Sequence, residues 1–158
     1  MGKENILKAL EKITYGIYVL TTKNGAEING MIASWVSQVS FSPPLVMVGV
    51  RKNRYSHKMV REGGVFALNV LGKESSALTG KFKSPSPEEK FKGIRWESKT
   101  TGAPLINEAL AYMDCTLINS VDAGDHTIFI GKIVDADILR EGIPMTSLDL
   151  GKVYIGQS

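Results

Sequence analysis

The sequence predicts a mainly β protein, a single-domain antiparallel barrel with short flanking helices, and three observations carry that reading. About seven segments rich in β-branched and aromatic residues stand against two or three short helical patterns. The connections between them are mostly of hairpin length, which suits antiparallel pairing and not βαβ crossovers. Neither G-x-G-x-x-G nor G-x-x-x-x-G-K-[ST] occurs, so a dinucleotide or phosphate is not held in the Rossmann or P-loop manner.

The elements follow in order. Residues 3–11, KENILKALE, place Ile6, Leu7 and Leu10 on one stripe and predict a short amphipathic helix. YGIYVLTT (15–22) is a strand, and the Asn-Gly pair after it turns the chain into a long strand over 27–40. Pro43-Pro44 ends that strand and LVMVGV (45–50) is the next. In RKNRYSHKMVREGG a basic turn, Ser56 in N-cap position and the Gly63-Gly64 stop predict a two-turn helix over 57–62. VFALNVL (65–71) is a strand, 74–80 a short helix, and 83–105 a surface excursion rich in Pro, Lys, Gly and Ser/Thr. Two long strands, 110–121 and 126–139, are joined by DAGD, and KVYIG forms a last short one.

Composition bounds the class. With 158 residues, 43% hydrophobic and 22% charged, the whole chain, 1–158, reads as one compact domain. A chain this size buries roughly 68–70% of its unfolded surface and needs no disulfide or structural metal. Cys115 is the single cysteine, and His57 and His126 fall short of a zinc ligand set, so no metal is expected. No leader or lipidation pattern is visible and the longest apolar run is too short to span a bilayer. A soluble, cytoplasmic protein without membrane contact is the expectation. The net charge of +3 and pI of about 8.9 permit an anionic ligand. The lysines over 81–99 are interleaved with acids and prolines, which reads as a solvated loop and argues against a nucleic-acid partner.

Two local patterns carry chemistry. Along GMIASWVSQVSF, alternation puts Ala33, Trp35, Ser37, Val39 and Phe41 on one face, expected to be the core face. Ile32, Ser34, Val36, Gln38, Ser40 and, just beyond, Ser42 share the other, either a half-exposed strand face or the wall of a flat polar ligand. Next, Arg51, Lys52 and Arg54 precede a helix start capped by Ser56, which is either an ordinary capped helix or an anion site. Together the two patterns suggest a phosphorylated aromatic ligand.

The run YGIYVLTTKNGAEINGMIASWVSQVSFSPPLVMVGVRKNRYSHKMVREGGVFALNVL, then GKF, then TGAPLINEALAYMDCTLINSVDAGDHTIFIGKIVDADIL, resembles the flavin reductase-like family of FMN-binding split barrels over roughly residues 10–140. Within that family it is most similar to archaeal ferric reductases, flavoredoxins and the flavin domains of high-molecular-weight rubredoxins. The resemblance implies a homodimeric Greek-key split barrel that binds FMN in preference to FAD. Ile32, Ala33, Ser34 and Trp35 would lie along the isoalloxazine, with Trp35 replacing a usual small hydroxyl residue. Gly49, Val50, Arg51 and Lys52 would pass beside the ring and ribityl chain, and Arg54 and Ser56 would reach the phosphate. Asn69, Val70 and Leu71 match a second flavin segment, and Lys81 and Phe82 match a Lys/Arg-Phe contact. On sequence alone His126 reads as a hydrogen-bonded turn residue; the resemblance places it near flavin and nicotinamide as the catalytic candidate. His57 is expected close to the phosphate site. The implied activity passes electrons from NADH or NADPH through the flavin to free flavin, a ferric chelate or a rubredoxin-type protein. The alternative is a non-enzymatic FMN electron carrier reduced by another protein.

Overall fold

A computed structural model describes residues 2–151 and 154–156. Helix α1 (Lys3–Leu10) leads into a hairpin of β1 (Tyr18–Asn24) and β2 (Glu27–Ala33). Asn24 pairs with Glu27, so the two-residue loop is Gly25-Ala26, with Gly25 at φ 61°. The turn therefore lies one residue later than an Asn-Gly turn, and it keeps the glycine where a positive φ is required. β3 (Val36–Ser40) and β4 (Leu45–Arg51) form a second hairpin, and α2 (Tyr55–Gly63) and β5 (Val65–Val70) follow.

The excursion over 83–105 is more ordered than its composition suggests. After a 3-10 turn at Lys73–Ser75 come α3 (Ala77–Lys81), α4 (Pro87–Phe91), and the short paired strands β6 (Trp96–Glu97) and β7 (Leu105–Ile106). Ser86 caps α4, accepting from the Glu89 N–H at 3.3 Å, and Pro87 occupies the first turn. β8 (Ala111–Ala123) and β9 (His126–Ile138) make the longest hairpin, and α5 (Ser147–Leu150) was not foreseen. The expected strand at KVYIG falls partly outside the described residues, and Tyr154 to Gly156 are not in a strand.

Seven strands form one antiparallel sheet in the order β2-β1-β5-β8-β9-β4-β3. Its two edge strands, β2 and β3, are consecutive in the chain and are joined by only Ser34 and Trp35. The sheet must therefore curl until its edges meet at that link, which makes it a barrel. Leu20, Val48, Val50, Phe66, Leu68, Cys115 and Phe129 fill its interior. A second cluster, including Ile17, Val19, Leu71, Leu78, Phe82 and Met145, packs beneath α3.

This topology corrects the single strand expected over 27–40. β2 pairs with β1 up to Ala33; then the Trp35 carbonyl accepts from the Gly49 N–H at 2.9 Å, and the chain has changed partner to β4. The alternation does not survive the switch. Val39 and Phe41, placed on the core face by pattern, are 46% and 92% exposed, because β3 is an edge strand with a bulge between Gln38 and Ser40 and Phe41 already lies in the turn beyond it.

Candidate functional site

At the closing link of the sheet lies a cavity of about 720 Å³, a volume suited to a small organic ligand. β2 supplies one wall with Asn29, Met31, Ile32 and Ala33, and the link adds Ser34 and Trp35. The end of β4 and the start of α2 bring Gly49, Arg51, Arg54 and Ser56. Phe82, Lys83, Ser84 and Lys90 come from α3, α4 and the loop between them, and Leu150 and Tyr154 from the C-terminal part.

A cationic cluster occupies part of this cavity. The N-cap of α2 is Arg54, whose backbone is extended and whose side chain makes no cap. Ser56 is therefore a first-turn residue and not the N-cap. Its buried hydroxyl accepts from Asn29 Nδ2 at 3.2 Å, which ties α2 to β2. Lys90 reaches across from α4 and donates to Asn29 Oδ1 at 3.1 Å and to the Gly30 carbonyl at 2.8 Å. Burial, and then the neighbouring Arg54, push the Lys90 ammonium pKa down. The half-buried Lys90 and the exposed Arg54 stand beside a helix start without a side-chain cap and have no acidic partner among the described residues, and an anion placed between them relieves their repulsion.

An aromatic cluster borders another part. The rings of Trp35 and His126 lie 4.5 Å apart at 32°, and Tyr154 lies 4.8 Å from Trp35. Gly49 makes room for this, since a Cβ there would stand 3.2 Å from Trp35 Cε3. His126 is 8% exposed and both its nitrogens are engaged, Nδ1 with Asp125 Oδ1 at 2.6 Å and Nε2 with the Tyr154 hydroxyl at 2.9 Å. The His126 hydrogen bond holds the Asp125 carboxyl below its ordinary value. Trp35 Nε1 is buried without a partner among the described residues.

Of the residues expected at the site, Ile32, Ala33, Ser34, Trp35, Gly49, Arg51, Arg54, Ser56 and Phe82 line this one cavity. The others lie outside its lining for identifiable reasons. Val50 and Leu71 are fully buried in the two apolar clusters. Asn69 is a core residue that donates to the Val19 carbonyl at 3.0 Å and to Thr21 Oγ1 at 3.2 Å, and accepts from the Ile106 N–H at 2.8 Å. The Val70 carbonyl takes the Leu110 N–H. Lys52 faces Asp122 at 3.5 Å on the surface. Lys81 points toward Gly93, where its Nζ would stand 4.0 Å from a Cβ. His126 stands behind Trp35 and Tyr154. His57 turns inward, with Nε2 2.7 Å from Thr127 Oγ1 and its ring against Phe129.

Asn29, Lys83, Ser84, Lys90 and Tyr154 are lining residues that sequence reasoning missed. A signal for Lys90 was present: Lys90-Phe91 repeats the Lys-Phe pair of 81–82, and Ser86-Pro87 marks a helix start before it.

Residues 10–153 match the flavin reductase like domain. The chain belongs to that family. A flavin reductase-like relative is the high molecular weight rubredoxin of Moorella thermoacetica, 40% identical over 143 residues, which are 88% of this chain and 62% of the relative. The ferric-chelate reductase (NAD(P)H) of Archaeoglobus fulgidus is 33% identical, covering 90% of this chain and 87% of its own. The chain thus spans less than two thirds of the first relative and most of the second. Among solved structures, the NADH:FAD oxidoreductase SgcE6 of Streptomyces globisporus C-1027, in complex with NAD and FAD fragments, superposes with a TM-score of 0.83 at 30% identity, covering 91% of this chain and 87% of that one. No helix among the described residues is long and apolar enough to cross a membrane, and no cluster of metal-ligating side chains occurs among them.

Proposed function

We propose that this flavin reductase-like chain holds FMN in the cavity at the closing link and passes electrons from NADH or NADPH to an acceptor. The observation that carries this reading is the joining of a cationic cluster and a mixed apolar and polar wall in one cavity of suitable size. Arg54 and Lys90 would hold the phosphate, with the Ser56 hydroxyl and the first amides of α2 as further donors. Met31, Ile32 and Ala33 would give a flat ring its apolar contact, and Ser34 a hydroxyl at its edge. When bound, the flavin supplies the redox chemistry, accepting hydride from the nicotinamide and releasing electrons onward. The protein's part is to orient the two rings and exclude water, and Trp35 and the Asp125-tethered His126 stand where that orientation would be set.

The acceptor belongs to the same proposal: free flavin, a ferric chelate or a rubredoxin-type protein, the last in keeping with the Moorella relative. A homodimer and a cytoplasmic location complete it. Exposed apolar side chains on β3 (Val39), in the turn after it (Phe41) and on the β8–β9 hairpin (Ile118, Val121, Val134) support association of two copies. The test is FMN titration of the purified protein, followed by anaerobic mixing with NADH and with NADPH. Rapid bleaching of the bound flavin is expected. No FMN retention refutes the reading, and bleaching by dithionite alone makes the protein a carrier.

A further inference from the structure

Three rings meet beside the cavity. Tyr154 contacts Trp35 at 4.8 Å and 48°, and His126 at 5.6 Å and 62°, and its hydroxyl lies 2.9 Å from His126 Nε2. On the opposite side of the imidazole the Asp125 carboxylate can only accept, so at 2.6 Å it takes the Nδ1 proton. In the neutral ring this leaves Nε2 as an acceptor, and the Tyr154 hydroxyl donates to it. Tyr154 also lines the cavity while His126 does not. The phenol thus covers the imidazole on the cavity side.

The arrangement is incomplete in one respect. Trp35 Nε1–H is buried with no acceptor among the described residues, although a buried donor is nearly always paired. Tyr154 has satisfied the histidine and left the indole unpaired. Removal of Tyr154 frees one acceptor, His126 Nε2, next to the ring of Trp35, whose Nε1–H has no partner among the described residues. A planar ring bearing a primary carboxamide carries the complementary pair, an N–H to give and a carbonyl to receive. Tyr154 itself is 39% exposed, so its departure toward water gives up only part of a full ring burial.

We infer that Tyr154 is an internal occupant of the nicotinamide subsite, a phenol that the carboxamide ring of NAD(P)H displaces to reach Trp35 and His126. This rests on the functional reading above. A substrate that must displace an occupant binds with its intrinsic affinity reduced by the fraction of open protein. One hydrogen bond and two ring contacts hold Tyr154 in place, so that reduction is about tenfold.

The test compares wild type with Tyr154→Phe and Tyr154→Ala. FMN-loaded protein is titrated with NAD+, and the KM for NADH is measured. Separately, with no ligand present, the rate at which diethyl pyrocarbonate modifies His126 is followed by peptide mass spectrometry, which resolves it from His57. Tyr154→Ala is expected to bind NAD+ about tenfold more tightly with a matching fall in KM, and Tyr154→Phe, which keeps the ring, about threefold. His126 is expected to react faster in Tyr154→Ala. Unchanged or weaker NAD+ binding in both variants, or no gain in His126 reactivity, overturns the inference. If FMN-loaded wild type is not reduced by either nicotinamide, the functional reading fails and the nicotinamide assignment goes with it; the His126 rates, measured without ligand, tell that failure apart from a misplaced Tyr154.

Discussion

Lys90→Met is the sharpest test of the proposed anion site, because Lys90 reaches the start of α2 beside Arg54, whereas Lys81, the lysine matched by the family resemblance, faces Gly93. The Lys90 ammonium lies against Asn29 Oδ1 and the Gly30 carbonyl, next to Arg54. Methionine keeps the stem and removes the charge. A hydrogen bond to a charged group contributes about 1.5–3 kcal/mol, which at 1.4 kcal/mol per decade corresponds to about 10- to 100-fold weaker FMN binding. The lower end is expected, since two neutral acceptors already hold the ammonium before any phosphate arrives. FMN titration followed by flavin fluorescence, at low and moderate salt, measures both the loss and a shallower salt dependence. Lys81→Met, whose ammonium faces Gly93, should stay within about twofold of wild type. The reverse order, with Lys81→Met crippled and Lys90→Met unaffected, refutes the placement of the phosphate.

Two further outcomes follow from buried polar groups. Asn69→Ala breaks three buried hydrogen bonds and is expected to cost about 2–4 kcal/mol in urea unfolding, with little change in FMN affinity of the folded protein; a stable variant that has lost FMN would make Asn69 a ligand residue after all. Burial, then Arg61 and Lys52, hold the His57 pKa below its ordinary value of 6.5, so the unfolded chain takes up a proton more readily. That penalty is absent above pH 6.5, grows as pH falls through it, and saturates below the folded pKa. Melting curves from pH 7.5 to 5 should show a steeper acid loss in wild type than in His57→Gln, and parallel curves would contradict the assignment.

Much of this fold could be read from residue patterns because strand periodicity and turn chemistry are local. β1, β4, β5 and the β8–β9 hairpin all follow that way. The division at Ser34-Trp35 could not, since the apolar alternation runs on through a point where only the hydrogen-bonding partner changes, from β1 to β4. The site divides along the same line. Arg54 and Ser56 stand out through a local feature, a basic turn before a helix. Lys90 depends on α4 folding back over β2, and Asn69 looks like a polar strand residue until its three core partners are known. Ser56 as N-cap failed for a similar reason: its hydroxyl is taken by Asn29, which is distant in sequence but adjacent in space.

The link between β2 and β3 has one more consequence. Because the first and last strands of the hydrogen-bonded order meet only through Ser34 and Trp35, a molecule seated against Ser34, Trp35 and Gly49 bridges both rims of the sheet. A ligand that binds only the closed barrel stabilises it by mass action, in proportion to the logarithm of its free concentration. If that molecule is the proposed flavin, abundance of the protein would follow cofactor supply: with flavin scarce the seam would open more often, and proteases that sample the open form would remove the chain sooner.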